Sequence, residues 1–200
     1  SSGKVTISTG TFEVDGTINC TANLEFTDAG SLNLSSTVSS LGTFTKSTST
    51  VNYDGAAQSI EDVNYYNLTL SGSGNKTITE DTDVSNTLDI NSGVLVLNTS
   101  SHKLTVASTT LDGGFINISN GEMECSGTFD HNAGNITMSG GLLDLNSTYI
   151  SANTSNVGIT GGEITAAGDW TGAADDAFDP SGGTVTFDGS SDQDLTFNAS

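Results

Sequence analysis

Two hundred residues carry 24 acidic side chains against four lysines and no arginine, for a formal net charge of −20. Such a chain repels phosphate, which excludes nucleic acid and anionic lipid as partners. One proline, 24 glycines and an abundance of Ser, Thr, Asn and Asp leave little material for amphipathic helices, and no apolar run is long enough to insert in a membrane.

Taken in chain order, the apolar residues arrive in short alternating pulses. They begin with Val5 and Ile7, Phe12 and Val14, Ile18 and Cys20, Leu24 and Phe26, and Leu32 and Leu34. The middle of the chain continues with Val51 and Tyr53, Leu68 and Leu70, Leu88 and Ile90, Val94 and Val96, and Leu104 and Val106. Ile116 and Ile118, Met123 and Cys125, Ile136 and Met138, Leu143 and Leu145, Val185 and Phe187, and Leu195 and Phe197 complete the series. Each pulse predicts a strand of about three to five residues with one face in and one out. Pairs such as Asp15-Gly, Asp54-Gly, Gly140-Gly and Gly161-Gly lie between the pulses and supply tight turns.

The chain also repeats itself. Val51, Tyr53, Asp54 and Gly55 return as Val185, Phe187, Asp188 and Gly189, and Val84-Ser-Asn-Thr-Leu-Asp-Ile matches Val14-Asp-Gly-Thr-Ile-Asn-Cys. Joining Asp194-Leu-Thr-Phe to Lys4-Val-Thr-Ile across the two ends reproduces the pattern of Asn67-Leu-Thr-Leu and Asn75-Lys-Thr-Ile. Repetition with strand periodicity predicts an all-β solenoid, a parallel β-helix with about three short strands per coil and coils of roughly twenty residues. Residues 1–200 read as a single solenoid domain that begins and ends within a repeat. The seventy-residue displacement of the second repeat is not a whole number of such coils.

The segment Thr50-Val-Asn-Tyr-Asp-Gly-Ala-Ala-Gln-Ser-Ile, with Tyr65-Tyr-Asn-Leu-Thr-Leu-Ser-Gly-Ser-Gly-Asn-Lys-Thr-Ile and Asn86-Thr-Leu-Asp-Ile-Asn-Ser-Gly-Val-Leu-Val-Leu-Asn, resembles repeats of very large secreted surface proteins and adhesins, especially those of Bacteroidota. The resemblance covers most of residues 44–106 and 178–198. It implies a right-handed parallel β-helix displayed outside the cell, at the cell surface, as a stalk, fibre or adhesive layer. Residues 107–177 share the style without the motif.

No catalytic constellation stands out, and the chain reads as a non-enzyme. His102 and His131 are the only histidines and read as exposed turn residues, with no nucleophile motif beside them. The acidic clusters at 80–83, 122–124, 175–176 and 188–194 have the residue types of acid/base pairs in a polysaccharide-cleaving β-helix, but there is no arginine to hold a sugar carboxylate. Calcium is the one ion the clusters could take, at Asp188, Asp192 and Asp194 or near 175–179. No other cofactor is expected.

Ten Asn-x-Ser/Thr triplets, at Asn19, Asn33, Asn67, Asn75, Asn98, Asn117, Asn135, Asn146, Asn153 and Asn198, are glycosylation candidates for an exported chain. Cys20 and Cys125 fall on inward positions and read as buried free thiols. The expected function is structural or adhesive: a surface stalk segment continuing a longer repeat array, or a subunit that stacks end to end into a fibre. The alternative is a carbohydrate-binding or carbohydrate-cleaving β-helix that takes surface glycans on an aromatic such as Trp170, with Tyr65, Tyr66 and Tyr149 as further rings. A lesser alternative is ice binding through Thr9-Gly-Thr, Thr43-Phe-Thr, Thr77-Ile-Thr and Thr184-Val-Thr, although their intervals are irregular.

Overall fold

The computed structural model describes residues 3–152, 154–173 and 177–197, and within them every regular element is a β-strand. All named strand pairs are parallel, and the chain winds through about nine turns of a β-solenoid with three faces. At a stacking distance of ~4.8 Å per coil, the rod is roughly 43 Å long.

Face one starts with Lys4–Ile7, Asn23–Phe26 and Thr43–Thr45. It resumes with the first part of Thr82–Ile90 and Lys103–Leu111, then Glu122–Cys125, the last part of Gly134–Leu145 and Ser155–Ala166, and Thr184–Phe187. Between these runs one coil contributes only Tyr65, bridged to Val84. Face two runs from Thr11–Val14 through Ser31–Leu34, Thr50–Tyr53 and Asn67–Leu70 to Leu195–Phe197. Face three runs from Ile18–Asn19 and Val38–Ser40 through Gln58–Ile60, Asn75–Ile78, Val94–Leu97 and Phe115–Ile118 to Ala177–Pro180.

Stacking fixes what each strand must carry. Alternate side chains point into a core only one coil wide, so each inward residue touches its equivalents above and below. On face two one inward column is Leu32, Val51, Leu68 and Leu88, and it continues as Thr109, Phe129, Tyr149 and Trp170. Its neighbour runs Leu34, Tyr53, Leu70, Ile90 and Leu111, then His131 and Ser151. As the first column grows into large rings, the second passes from Leu111 to His131 and Ser151, so bulk gained in one column is partly given up in the other.

The seventy-residue repeat now has a physical account. Leu68 lies beside Leu88, Leu88 beside Thr109 and Thr109 beside Phe129, so coils advance by about twenty residues, and the displacement covers three whole coils, Val14 to Leu34 to Tyr53 to Leu70, plus two further faces. Val14 therefore sits on face two and its match Val84 on face one. The repeating unit is the strand with its turn, not the whole coil. The match of Val51 to Val185 likewise crosses from face two to face one.

Candidate functional site

Among the described residues one acidic group of three draws together, and it is on face one: Glu122, Glu124 and Asp144 have carboxylate oxygens within 4.8 Å of one another. Its charges are already answered by the protein. Lys103 Nζ lies 2.6 Å from both Glu122 Oε1 and Glu124 Oε2, and the two carboxylates hold the lysine well above the usual ammonium range. Asn146 Nδ2 donates to Glu124 Oε1 at 3.2 Å and Thr165 Oγ1 to Asp144 Oδ1 at 2.7 Å. The group is a ladder across successive coils, with its cation built in.

Asp188, Asp192 and Asp194 do not form such a group among the described residues. Their loop is organised by a residue the sequence reading passed over, Gln193. Its Nε2 donates to the carbonyls of Ala166 and Gly168, each at 2.8 Å, while its Oε1 accepts the Gly189 N–H at 3.0 Å. Gln58 does the same for the earlier copy, bonding the carbonyls of Leu34 at 2.7 Å and Ser36 at 2.6 Å and accepting the Gly55 N–H at 3.0 Å. The Asp-Gly repeat is thus a corner staple in which a glutamine ties one turn to the coil before it. Asp175 and Asp176, from the other calcium candidate, lie outside the described residues.

His131 corrects the expectation of an exposed turn histidine. It is buried on the inward side of face two, with Nδ1 2.8 Å from the Tyr149 hydroxyl and Nε2 3.0 Å from the Gly134 carbonyl. A buried imidazole with both ring nitrogens at hydrogen-bonding distance from partners is a core residue, not a turn residue. His102 is a half-buried turn residue, 3.8 Å from Glu80. Lys76 is also buried: its ammonium donates to the carbonyls of Gly55, Ala56 and Ser73 at 2.7–2.9 Å, and desolvation lowers its pKa.

The aromatic platforms expected for a sugar are withdrawn into the core. Trp170 is 4% exposed, with its ring 4.2 Å from Tyr149 and about 6 Å from Phe178 and Phe187. Tyr65 and Tyr149 are buried and Tyr66 is half-buried, so these four rings make no exposed stacking surface. The threonine pairs are scattered too. Thr43 and Thr45 share face one with Thr184 and Thr186 at opposite ends of the rod, whereas Thr77 lies on face three. No continuous Thr-x-Thr array forms among the described residues, which removes the geometric basis for ice binding.

Eight of the ten sequon asparagines are described, and all eight point outward. Asn19, Asn75, Asn98, Asn117 and Asn146 are exposed, and Asn33, Asn67 and Asn135 are half-buried; Asn153 and Asn198 lie outside the described residues. Both cysteines are free, but only Cys125 is buried, and Cys20 is half-buried at the first coil. Burial pushes the Cys125 thiol pKa up. A disulfide reagent is therefore expected to label Cys20 in the native protein roughly a hundredfold faster than Cys125, which waits for local opening. Equal native labelling rates, read by peptide mapping, would refute the placement of Cys125.

Comparison with known proteins finds no matching family model, and no curated protein or solved structure with significant similarity.

Proposed function

We propose that this chain is an extracellular structural β-solenoid, a segment of a surface stalk or fibre that lengthens by pairing one end coil with another. The observation that carries the reading is the stack itself: parallel strands pair coil to coil on three faces around one apolar core, an arrangement that extends along a single axis. At the first coil the inward-column residues Val5 and Phe12 are 41% and 44% exposed; at the last, Phe187, Leu195 and Phe197 are 40%, 48% and 60% exposed. In mid-rod the same columns are fully covered.

We infer the register of such a stack by continuing the ladders of faces one and two. Extending the ladders by one step places Val185 and Phe187 over Val5 and Ile7, and Leu195 and Phe197 over Phe12 and Val14. Outward residues then meet without like charges, Thr184 over Lys4 and Thr196 over Glu13. Unpaired strand edges with matching apolar columns favour continuation by another coil. That coil comes either from the same polypeptide or from a second copy.

Electron microscopy of natively isolated protein, with subunit mass from the same sample, tests this. Filaments of ~20 kDa chains, or one longer rod within a larger chain, are the expected results. Isolated rods of ~43 Å at high protein concentration, built from a chain of this length alone, would overturn the reading. Phe197→Asp should abolish filaments of the 20 kDa chain, because it places a charge in the apolar seam.

A further inference from the structure

Charge is divided unequally among the three faces. Face one carries Lys4, Glu25, Asp83, Lys103, Glu122, Glu124, Asp144 and Glu163 on its strands, and face two carries Glu13, Asp89 and Asp130. On face three, from Ile18–Asn19 through the Ser155–Ile159 part of the eighth coil, the only ionisable strand residue is Lys76, which is turned inward and buried. A chain of net charge −20 thus keeps the strands of one side free of outward charge over eight coils, roughly 34 Å from first to last, before Asp179 enters on the ninth strand.

The side chains on that face differ in a second way. On face two the outward amides are tied between coils: Asn33 Nδ2 donates to Glu13 at 2.8 Å and Asn86 Nδ2 to Asn67 at 2.8 Å. On face three Asn75, Asn117, Asn135 and Asn156 show no side-chain hydrogen bond to any described residue, so their amides face solvent with donors and acceptors unspent. At the centre lies an apolar patch. Val94 is beside Phe115 and Phe115 beside Asn135 along one outward column, with Val96 beside Asn117 in the next. Phe115 is 43% exposed, while Val96, though outward, is only 8% exposed.

We propose that face three is a binding surface for an uncharged, extended polysaccharide, with the Phe115 ring as the stacking platform and Asn75, Asn117, Asn135 and Asn156 hydrogen-bonding to sugar hydroxyls. An aromatic face bordered by a few fixed amides matches the mixed apolar and polar character of a sugar ring. The absence of charge selects against anionic polymers, which faces one and two also repel. The amides stand on four different coils, with Asn135 beside Asn156, which suits a ligand long enough to span several coils, so that weak contacts add along its length. This surface exists whether the rod is a stalk segment or a stacking subunit and does not rest on end pairing.

The test is sedimentation of the purified 200-residue chain with microcrystalline cellulose, with chitin and with insolubilised polygalacturonate as the anionic control. Retention is expected on at least one neutral polymer, unchanged in 1 M salt, since no ion pair is screened, and none on polygalacturonate. Phe115→Asp, and separately Asn117→Asp with Asn135→Asp, should each lower that affinity at least tenfold, while Asp130→Asn on face two should leave it unchanged, all with unaltered melting temperature. Failure to bind either neutral polymer, or binding indifferent to Phe115→Asp, overturns the proposal. So does concentration-dependent lateral dimerisation lost in Phe115→Asp, which would make the face a self-association surface. Sugar mass found on Asn117 or Asn135 in the native protein overturns it as well, because the face would then be covered by the protein's own glycans.

Discussion

Replacing Gly72 with alanine is expected to cost more than about 3 kcal/mol, whereas the same change at Gly10 should cost only about 1 kcal/mol. Both glycines hold the left-handed backbone, at φ 73° and 84°. The conformational penalty is therefore shared, and what differs is the space. A Cβ on Gly72 would sit 2.1 Å from the Asp54 carbonyl oxygen and 2.5 Å from that of Gly55, while at Gly10 nothing lies within 4 Å. The obstacle at Gly72 is the backbone of the preceding coil, which cannot rotate away as a side chain can. Relief requires the coils to separate locally, and that breaks ladder bonds such as Ser73 N–H to the Gly55 carbonyl at 3.2 Å. Urea denaturation of the two variants gives the difference directly. Losses equal within 0.5 kcal/mol would show that coil contact at the corners does not limit this fold.

The contrast explains how much of the fold the sequence made legible. Pulses such as Leu68 and Leu70 or Ile116 and Ile118 announce their strands because their inward residues are apolar and their outward ones polar. Strands whose inward position is polar break that rhythm and went unread: Gln58 with Ile60, Lys76 with Ile78, Phe129 with His131 and Tyr149 with Ser151. In each case a partner in the next coil or the adjoining turn satisfies the polar group, and no single-chain periodicity contains that information. Lys76 is the plainest example, because its three acceptors belong to two turns brought together only by winding.

The surface was less legible than the core. Trp170 and the Asp188 loop attract attention as residue types, yet their chemistry is spent internally, on the aromatic stack and the Gln193 staple. Face three draws it only through separate sequons such as Asn75, Asn117 and Asn135 and one Thr-x-Thr pair, and its outward Asn, Ser and Thr, with Val94, Val96 and a single Phe, are spread over about 140 residues of chain. It becomes a surface only when the coil length is known, since an error of one strand per coil would redistribute its residues over all three faces.

Alkaline pH should unfold this protein through Tyr53 and Tyr65. The two hydroxyls lie 2.8 Å apart in the core where the coil shortens, and both engage the Glu61 backbone, Tyr53 accepting its N–H at 3.1 Å and Tyr65 donating to its carbonyl at 2.9 Å. Burial pushes the Tyr53 pKa up to about 12 and that of Tyr65 well above the usual phenol range. The folded state then keeps protons that the unfolded chain releases near pH 10, so stability is fully present below pH 10 and falls as pH rises toward 12. Two pKa units at Tyr53 amount to about 3 kcal/mol, with Tyr65 adding in the same direction. Lys103, held protonated by Glu122 and Glu124, pulls the same way, and Lys76, with its lowered pKa, pulls oppositely. A comparison of variants therefore isolates the tyrosines. Tyr53→Phe with Tyr65→Phe should lose about 1–3 kcal/mol at pH 7 through the unmet Glu61 groups, yet show a visibly flatter decline between pH 10 and 12. Parallel stability curves for the wild type and the double variant across that interval would mean that the pair already ionises in the folded rod, and that the shortened coil is open to water.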